Sequence, residues 1–122
     1  MSVELNHTIV WATDREVSAE FLAGILGLRV GPVAGPFRQL RVANGVTLDF
    51  ATAEGGVDGQ HYAFLVGDEE FDAAMARLRA SGVPFWADPF HRAPGEINHE
   101  LGGRGVYFAD ADGHNMELLT RA

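Results

Sequence analysis

Residues 5–14 read LNHTIVWATD, and residues 59–68 read GQHYAFLVGD. Laid one on the other, they put His7 on His61 and Asp14 on Asp68 at a single offset. A second pair of stretches repeats later in each half. Residues 44–52, NGVTLDFAT, align with residues 112–120, DGHNMELLT, so Asp49 falls on Glu117 and Thr52 on Thr120. The chain therefore reads as two copies of one module. Each copy supplies a histidine near its first strand and a carboxylate in its last. Two histidines and two carboxylates in equivalent positions are a donor set suited to a hard-to-borderline divalent metal.

The elements follow from these stretches. Leu5–Thr13 mixes β-branched and aromatic residues, as strands do. Asp14 is a helix N-cap residue, with Val17, Phe21, Leu22, Ile25 and Leu26 at helical spacing behind it and Gly27 to close. LRVGPVAG (28–35), FRQLRVAN (37–44) and VTLDFAT (46–52) read as three short strands, the last two joined by an Asn44-Gly45 hairpin turn. AEGGVDG (53–59) is a glycine-rich linker. The second half repeats the order. HYAFLVG (61–67) is a strand, and Asp68 caps a helix that carries Phe71, Ala74, Met75 and Leu78 and closes near Gly82. VPFWADP (83–89) reads as a strand, followed by a longer excursion over residues 91–103. GVYFAD (105–110) and HNMELLT (114–120) form a closing hairpin around Asp112-Gly113. The expectation is an α+β fold of two tandem βαβββ modules. Module one covers about residues 1–54 and module two about 59–122, within a single domain of 122 residues.

Strand parity sorts the faces. His7 shares a face with Ile9 and Trp11, Asp49 with Thr47 and Ala51, His61 with Ala63 and Leu65, and Glu117 with Asn115 and Leu119. The alternate positions, Val46, Leu48 and Phe50, then Tyr62, Phe64 and Val66, then Met116 and Leu118, are strongly apolar and are expected to bury against the helices. The four ligand candidates thus fall on the faces turned away from the helices. Two such curved sheets facing each other would enclose a cup.

Composition excludes several classes. The chain has no cysteine, which removes disulfides, thiolate metal sites and cysteine nucleophiles. A net charge of −8 argues against a nucleic-acid backbone as partner. No apolar run reaches the roughly 18 residues of a membrane span. MSVELNH lacks the basic start and apolar stretch of a signal peptide, so a cytoplasmic location is expected. The glycine pairs 55–56 and 102–103 do not make a phosphate loop, because neither precedes a helix with a Lys-Ser/Thr ending.

The arrangement resembles the vicinal oxygen chelate superfamily, which contains glyoxalase I, extradiol ring-cleavage dioxygenases, fosfomycin-resistance proteins and bleomycin-binding proteins. SAEFLAGILGL (18–28) and GGRGVYFADADGHNMELLT (102–120) look like that family's helix and closing hairpin. HYAF (61–64) with the later LRASGV (78–83) is similar to the fosfomycin-resistance branch. The resemblance implies a curved, incompletely closed barrel-like sheet. It makes His7, His61 and Glu117 ligands of a divalent metal ion (Fe, Ni, Zn or Mn), and it places the fourth glyoxalase ligand on Asp49. It also implies a homodimer acting on a small-molecule substrate.

Glu117 in NMELL would be a costly charge in an apolar strand without a partner. Asp49, one methylene shorter than glutamate, is a direct ligand, a residue that orients a ligand, or a catalytic base. Arg104 is either a fork for an anionic substrate oxygen or a structural arginine paired with a carboxylate such as Glu100. His91 and His99 lie in the excursion, and His99, nearer the closing hairpin, is the stronger candidate for a proton shuttle. Trp11 and Tyr107, with Phe37, Phe85 and Trp86, are candidate lining for an aromatic ligand or ordinary core.

Three reactions suit such a site: ring cleavage with iron, glyoxalase-like isomerisation with nickel or zinc, and thiol transfer to an epoxide with manganese. The fosfomycin branch continues beyond its last ligand with basic residues. This sequence ends five residues after Glu117, which lowers the third expectation. The rival class is a non-catalytic antibiotic-binding protein, against which the retained His7, His61 and Glu117 argue.

Overall fold

The computed structural model describes residues 2–122. The chain divides into two compact units. One holds the residues up to Gly24 and Leu28–Val57, the other Ile25–Gly27 and Asp58–Ala122. The division at Val57 falls inside the glycine-rich stretch.

The first unit runs β1 (His7–Ala12), α1 (Arg15–Leu26), β2 (Val33–Ala34), β3 (Phe37–Arg41) and β4 (Thr47–Thr52). Its sheet order is β1-β4-β3-β2, with β1 parallel to β4 and the other pairs antiparallel. The second unit runs β5 (His61–Leu65), α2 (Asp68–Ala80), a short 3-10 turn (Glu100–Gly102), β6 (Gly105–Ala109) and β7 (Asn115–Leu119). Its order is β5-β7-β6, with β5 parallel to β7. In both, a helix links the first strand to the others, as a parallel pairing requires, and the first strand lies beside the last. The fold is α+β with two separate open sheets, each a copy of one pattern.

Alternation decides what is buried. Along β1, Val10 and Ala12 are buried, while Ile9 and Trp11 on the other face are exposed. Leu48 and Phe50 of β4 and Met116 and Leu118 of β7 are buried as the parity requires, whereas Tyr62 and Phe64 of β5 are only half-buried. Phe71, Ala74, Met75 and Leu78 form the buried stripe of α2. On α1 the stripe is rotated from the expected one. Ser18, Ala19, Leu22, Ala23 and Ile25 are buried and Val17 is exposed, because small residues rather than Val17 let the helix lie close.

Both helices end the same way. Gly27 and Gly82 have positive φ, and the residue after each donates back across the last turn, Leu28 to the Ala23 carbonyl and Val83 to the Leu78 carbonyl. Their starts differ. Asp14 caps α1, its Oδ1 accepting the N–H groups of Glu16 (2.9 Å) and Val17 (3.3 Å). Asp68 does not cap α2, contrary to the expectation. Gly67 holds that position and Asp68 is the first helical residue, its carboxylate bonded to Arg104.

Two expected strands are shorter than read. Over residues 28–35 only Val33–Ala34 forms a strand; ahead of it Gly31 donates to the Gln39 carbonyl (2.7 Å) and the Pro32 carbonyl accepts the Gln39 N–H (3.1 Å), and Pro32, which lacks a donor, interrupts the regular ladder. Residues 83–89 do not form a strand. Trp86 alone pairs with Tyr107, by two N–H to carbonyl bonds of 2.8 Å, and Pro84 and Pro89 prevent the ladder from extending.

Candidate metal centre

The sheet of the second unit sets out the site in rows. Glu117 on β7 lies level with Ala63 on β5 and Tyr107 on β6, and Asn115 lies level with His61 and Ala109. Residues in register share a face, so His61, Glu117, Tyr107 and Asn115 stand together. His61 Nε2 lies 2.9 Å from Glu117 Oε1. The histidine side chain is 50% exposed and the carboxylate 17%, so the pair opens to solvent from its His61 side. Tyr107 braces it. Its ring centroid is 5.9 Å from that of His61, and its hydroxyl donates to Glu117. Burial, and then the negative charge and hydrogen bond of Glu117, push the Tyr107 hydroxyl up to about 12.

The first unit repeats the register without repeating the contact. Ile9 lies level with Asp49 and Thr47 with His7, as Ala63 does with Glu117 and Asn115 with His61. Asp49 is buried, and its Oδ1 accepts a 3.1 Å bond from Gln39 Nε2, Gln39 standing where Tyr107 stands in the second unit. His7 is exposed, and its Nδ1 lies 2.8 Å from Asn6 Oδ1. The side chain that is one methylene shorter is held by its β3 neighbour, and the histidine by its own chain neighbour. Among the described residues no three His, Cys, Asp or Glu side chains gather into a cation site.

The other candidates are distributed as follows. Arg104 Nη1 donates to Asp72 (2.6 Å) and Nη2 to the Asp68 carboxylate (2.9 Å), and the guanidinium lies 4.5 Å from the Phe71 ring centroid. Hydrogen bonds to Asp72 and then Asp68 hold it above the usual arginine range. Its partners are thus on α2, where the sequence pointed to Glu100. His99 is exposed ahead of the 3-10 turn and caps it with no side-chain bond. Trp11 is 49% exposed on the His7 face of β1. His114 is fully buried, its Nδ1 accepting the Gln60 N–H (3.0 Å) and its ring meeting Tyr62 edge-on at 5.5 Å, which fastens the entry of β5 to the β6–β7 turn. Beside it, burial pushes the Asp110 carboxyl up, against the lowering effect of the His114 N–H.

His91, the other histidine of the excursion, is held against the sheet of the second unit. His91 stacks on Trp86 with ring centroids 3.8 Å apart and 3° between planes, and its Nε2 lies 2.9 Å from Asn115 Oδ1. Nothing in its spacing shows this, because the loop path from Asp88 decides it.

Residues 4–118 match the family model of the Glyoxalase/Bleomycin resistance protein/Dioxygenase superfamily. The chain is 30% identical over 124 residues to a glutathione transferase, FosA, of Serratia marcescens, covering 97% of this chain and 81% of that one. Two solved structures are more alike. Oxidase ChaP-H2 is 56% identical with a TM-score of 0.98, covering 100% of this chain and 96% of its own. Oxidase ChaP-H1 is 59% identical with a TM-score of 0.96, covering 99% and 98%. With the repeated βαβββ pattern and a family model spanning nearly its whole length, the chain belongs to the Glyoxalase/Bleomycin resistance protein/Dioxygenase superfamily.

Proposed function

We propose that this chain is a divalent-metal-dependent enzyme that oxidises a small molecule held through two neighbouring oxygens, and that it works as a homodimer. The carrying observation is the His61–Glu117 pair. Two ligands at right angles about an ion with bonds of roughly 2.1 Å stand about 3 Å apart. The donor atoms of His61 and Glu117 are 2.9 Å apart on a face that solvent reaches. An imidazole nitrogen with a carboxylate oxygen suits iron, manganese, nickel or zinc. His7, the repeat-mate of His61 and exposed, supplies the third donor. A bound ion would supply Lewis acidity to the two substrate oxygens.

The remaining work falls to the chain. Tyr107 keeps Glu117 in one orientation by donating to it, as groups behind a ligand do. Asp49, fixed by Gln39, occupies the fourth position of the repeat. Oxidation rather than isomerisation is favoured by the similarity to two structures named oxidases, at 56% and 59% identity. A second reading, thiol transfer, draws on the 30% identity to the glutathione transferase.

Protein purified without a histidine tag is expected to hold about one metal per chain by elemental analysis, and His61→Ala and Glu117→Ala to hold little. Absence of uptake after reconstitution with Fe(II), Mn(II), Ni(II) and Zn(II) would reject the enzyme reading. Oxygen consumption by the iron form with vicinal diols of aromatic rings, set against glutathione loss with epoxides, separates the two reactions.

A further inference from the structure

We infer that Asn115 is a positioning residue of the proposed metal site: it clasps the loop tip of residues 88–92 onto the strand that carries Glu117, and so fixes a wall against which a chelated substrate lies. The inference rests on the proposed function and adds to it a group that limits how the substrate turns.

The first support is the build of the loop. Residues 86–95 form a narrow hairpin. Ala87 donates to the Ala93 carbonyl (3.1 Å) and Gly95 to the Phe85 carbonyl (2.8 Å), while Trp86 pairs with Tyr107 of β6. Asn98 fastens the base, its Nδ2 donating to the Ala87 carbonyl at 2.8 Å. The tip is braced from within. Asp88 Oδ1 accepts the N–H groups of Arg92 and Ala93 at 2.8 Å each, and the Asp88 carbonyl accepts that of His91. A tip braced in this way moves as one piece about its base.

The second support is what holds that piece down. Asn115 Nδ2 donates to the Pro89 carbonyl at 3.0 Å, and Asn115 Oδ1 accepts from His91 Nε2 at 2.9 Å. Among the described residues, both hydrogen bonds from residues 88–92 to the sheet end on this one side chain. A carbonyl only accepts, so it takes the nitrogen end of the amide and leaves the oxygen for His91. A carboxylate in the same place would have no donor for Pro89. The bond lays the His91 ring flat on Trp86, with centroids 3.8 Å apart.

The third support is place. Asn115 lies level with His61, and it precedes Glu117 by two residues on the same face, about 7 Å along β7. Trp86 stands on that face too, level with Tyr107, which is level with Glu117. The floor between is low, since Ala63 lies in the row of Glu117 and Ala109 in that of Asn115. A small molecule held at the pair through two oxygens is otherwise free to tilt about the ion. A fixed wall one row away removes that freedom and keeps the reacting atoms aligned.

Trypsin digestion of metal-free protein reads the clasp, because Arg92 lies in the tip. Asn115→Ala is expected to be cut after Arg92 about tenfold faster than wild type, two hydrogen bonds of ordinary strength being lost. Asn115→Asp, which keeps the acceptor for His91, and His91→Phe, which leaves β7 untouched, are expected to fall between. Titration of the Zn(II)-loaded proteins with 4-nitrocatechol reads the wall. Asn115→Ala is expected to take up Zn(II) as wild type does and to bind the probe about fivefold more weakly, because a loose tip must be ordered on binding. Unchanged cutting in Asn115→Ala and His91→Phe would overturn the clasp. Faster cutting with unchanged probe affinity would overturn the positioning role, and so would loss of Zn(II) from Asn115→Ala, which would put its effect on the ligands themselves. Failure of wild type to take up Zn(II) would reject the metal reading and the positioning role with it, and cutting of the metal-free protein separates that result from failure of the clasp.

Discussion

Tyr107 shows how much one residue is asked to do. It lies level with both Glu117 and Trp86, donates to the carboxylate, and is 8% exposed. Its hydroxyl is pushed to about 12 from 10.0, and Tyr62 is also raised, by burial and then by Asp110. Raised values mean that the fold favours the protonated forms. The contribution of Tyr107 is fully present below pH 10, where the unfolded tyrosine starts to ionise, and is lost as pH rises through about 12. The size of the effect is roughly 2–3 kcal/mol for a shift of about two units. The chain contains no lysine, so its two tyrosines share this window and the Tyr107→Phe comparison separates Tyr107 from Tyr62. Urea unfolding of metal-free protein is expected to lose stability between pH 10 and 12, with a flatter profile for Tyr107→Phe. An identical slope in the variant would count against the buried hydrogen bond. The aligned aspartates teach a second lesson. Asp14 caps a helix and Asp68 holds an arginine, although one repeat predicts one role for both.

At the scale of elements, the two helices offer a matched comparison. Both stop at a glycine of positive φ, Gly27 at 72° and Gly82 at 67°. A Cβ at Gly82 would meet open space, whereas one at Gly27 would come within 2.7 Å of the Arg77 guanidinium, which donates to the Ile25 carbonyl at 3.1 Å. Gly82→Ala is expected to cost roughly 1–2 kcal/mol from the backbone alone. Gly27→Ala is expected to cost about 1 kcal/mol more, because the arginine must move off its carbonyl. Denaturation midpoints of the two variants, and of Gly27→Ala in an Arg77→Ala background, measure the difference. If the extra cost persists without the arginine, this account of the α1 terminus is wrong.

At the scale of the whole molecule, the question is which chain completes the site. The His61–Glu117 pair forms within one unit, and each unit by itself exposes apolar residues beside its histidine, Ile9 and Trp11 beside His7 in the first and Leu65 beside His61 in the second, of the kind that a second copy covers. On the homodimer reading, His7 of one chain joins His61 and Glu117 of the other. Mixing His7→Ala with Glu117→Ala protein then produces a dimer in which one of the two sites has all three donors intact. Metal binding is expected to return in the mixture when neither variant binds alone. Continued absence of metal in confirmed mixed dimers would place all three donors in one chain.

The sequence by itself determined the repeat, and with it the order of elements, the parity of each strand and the positions of His7, Asp49, His61 and Glu117. These are local or periodic properties: alternation at two residues, helical spacing, Asn-Gly and Asp-Gly turns, and helices closed at Gly27 and Gly82. Tertiary structure decided which of these side chains meet. Aligned positions share a register, yet Glu117 reaches its histidine while Asp49 is held by Gln39, since reach and neighbours differ between strands. It also decided that residues 83–89 pair only at Trp86, because prolines remove donors, and that Arg104 pairs with α2. The position of His91 over β7 depends on a loop whose path comes from Asp88, Pro89 and Asn115 acting together. Contacts between residues far apart in the chain carry no periodicity, so no spacing in the sequence records them.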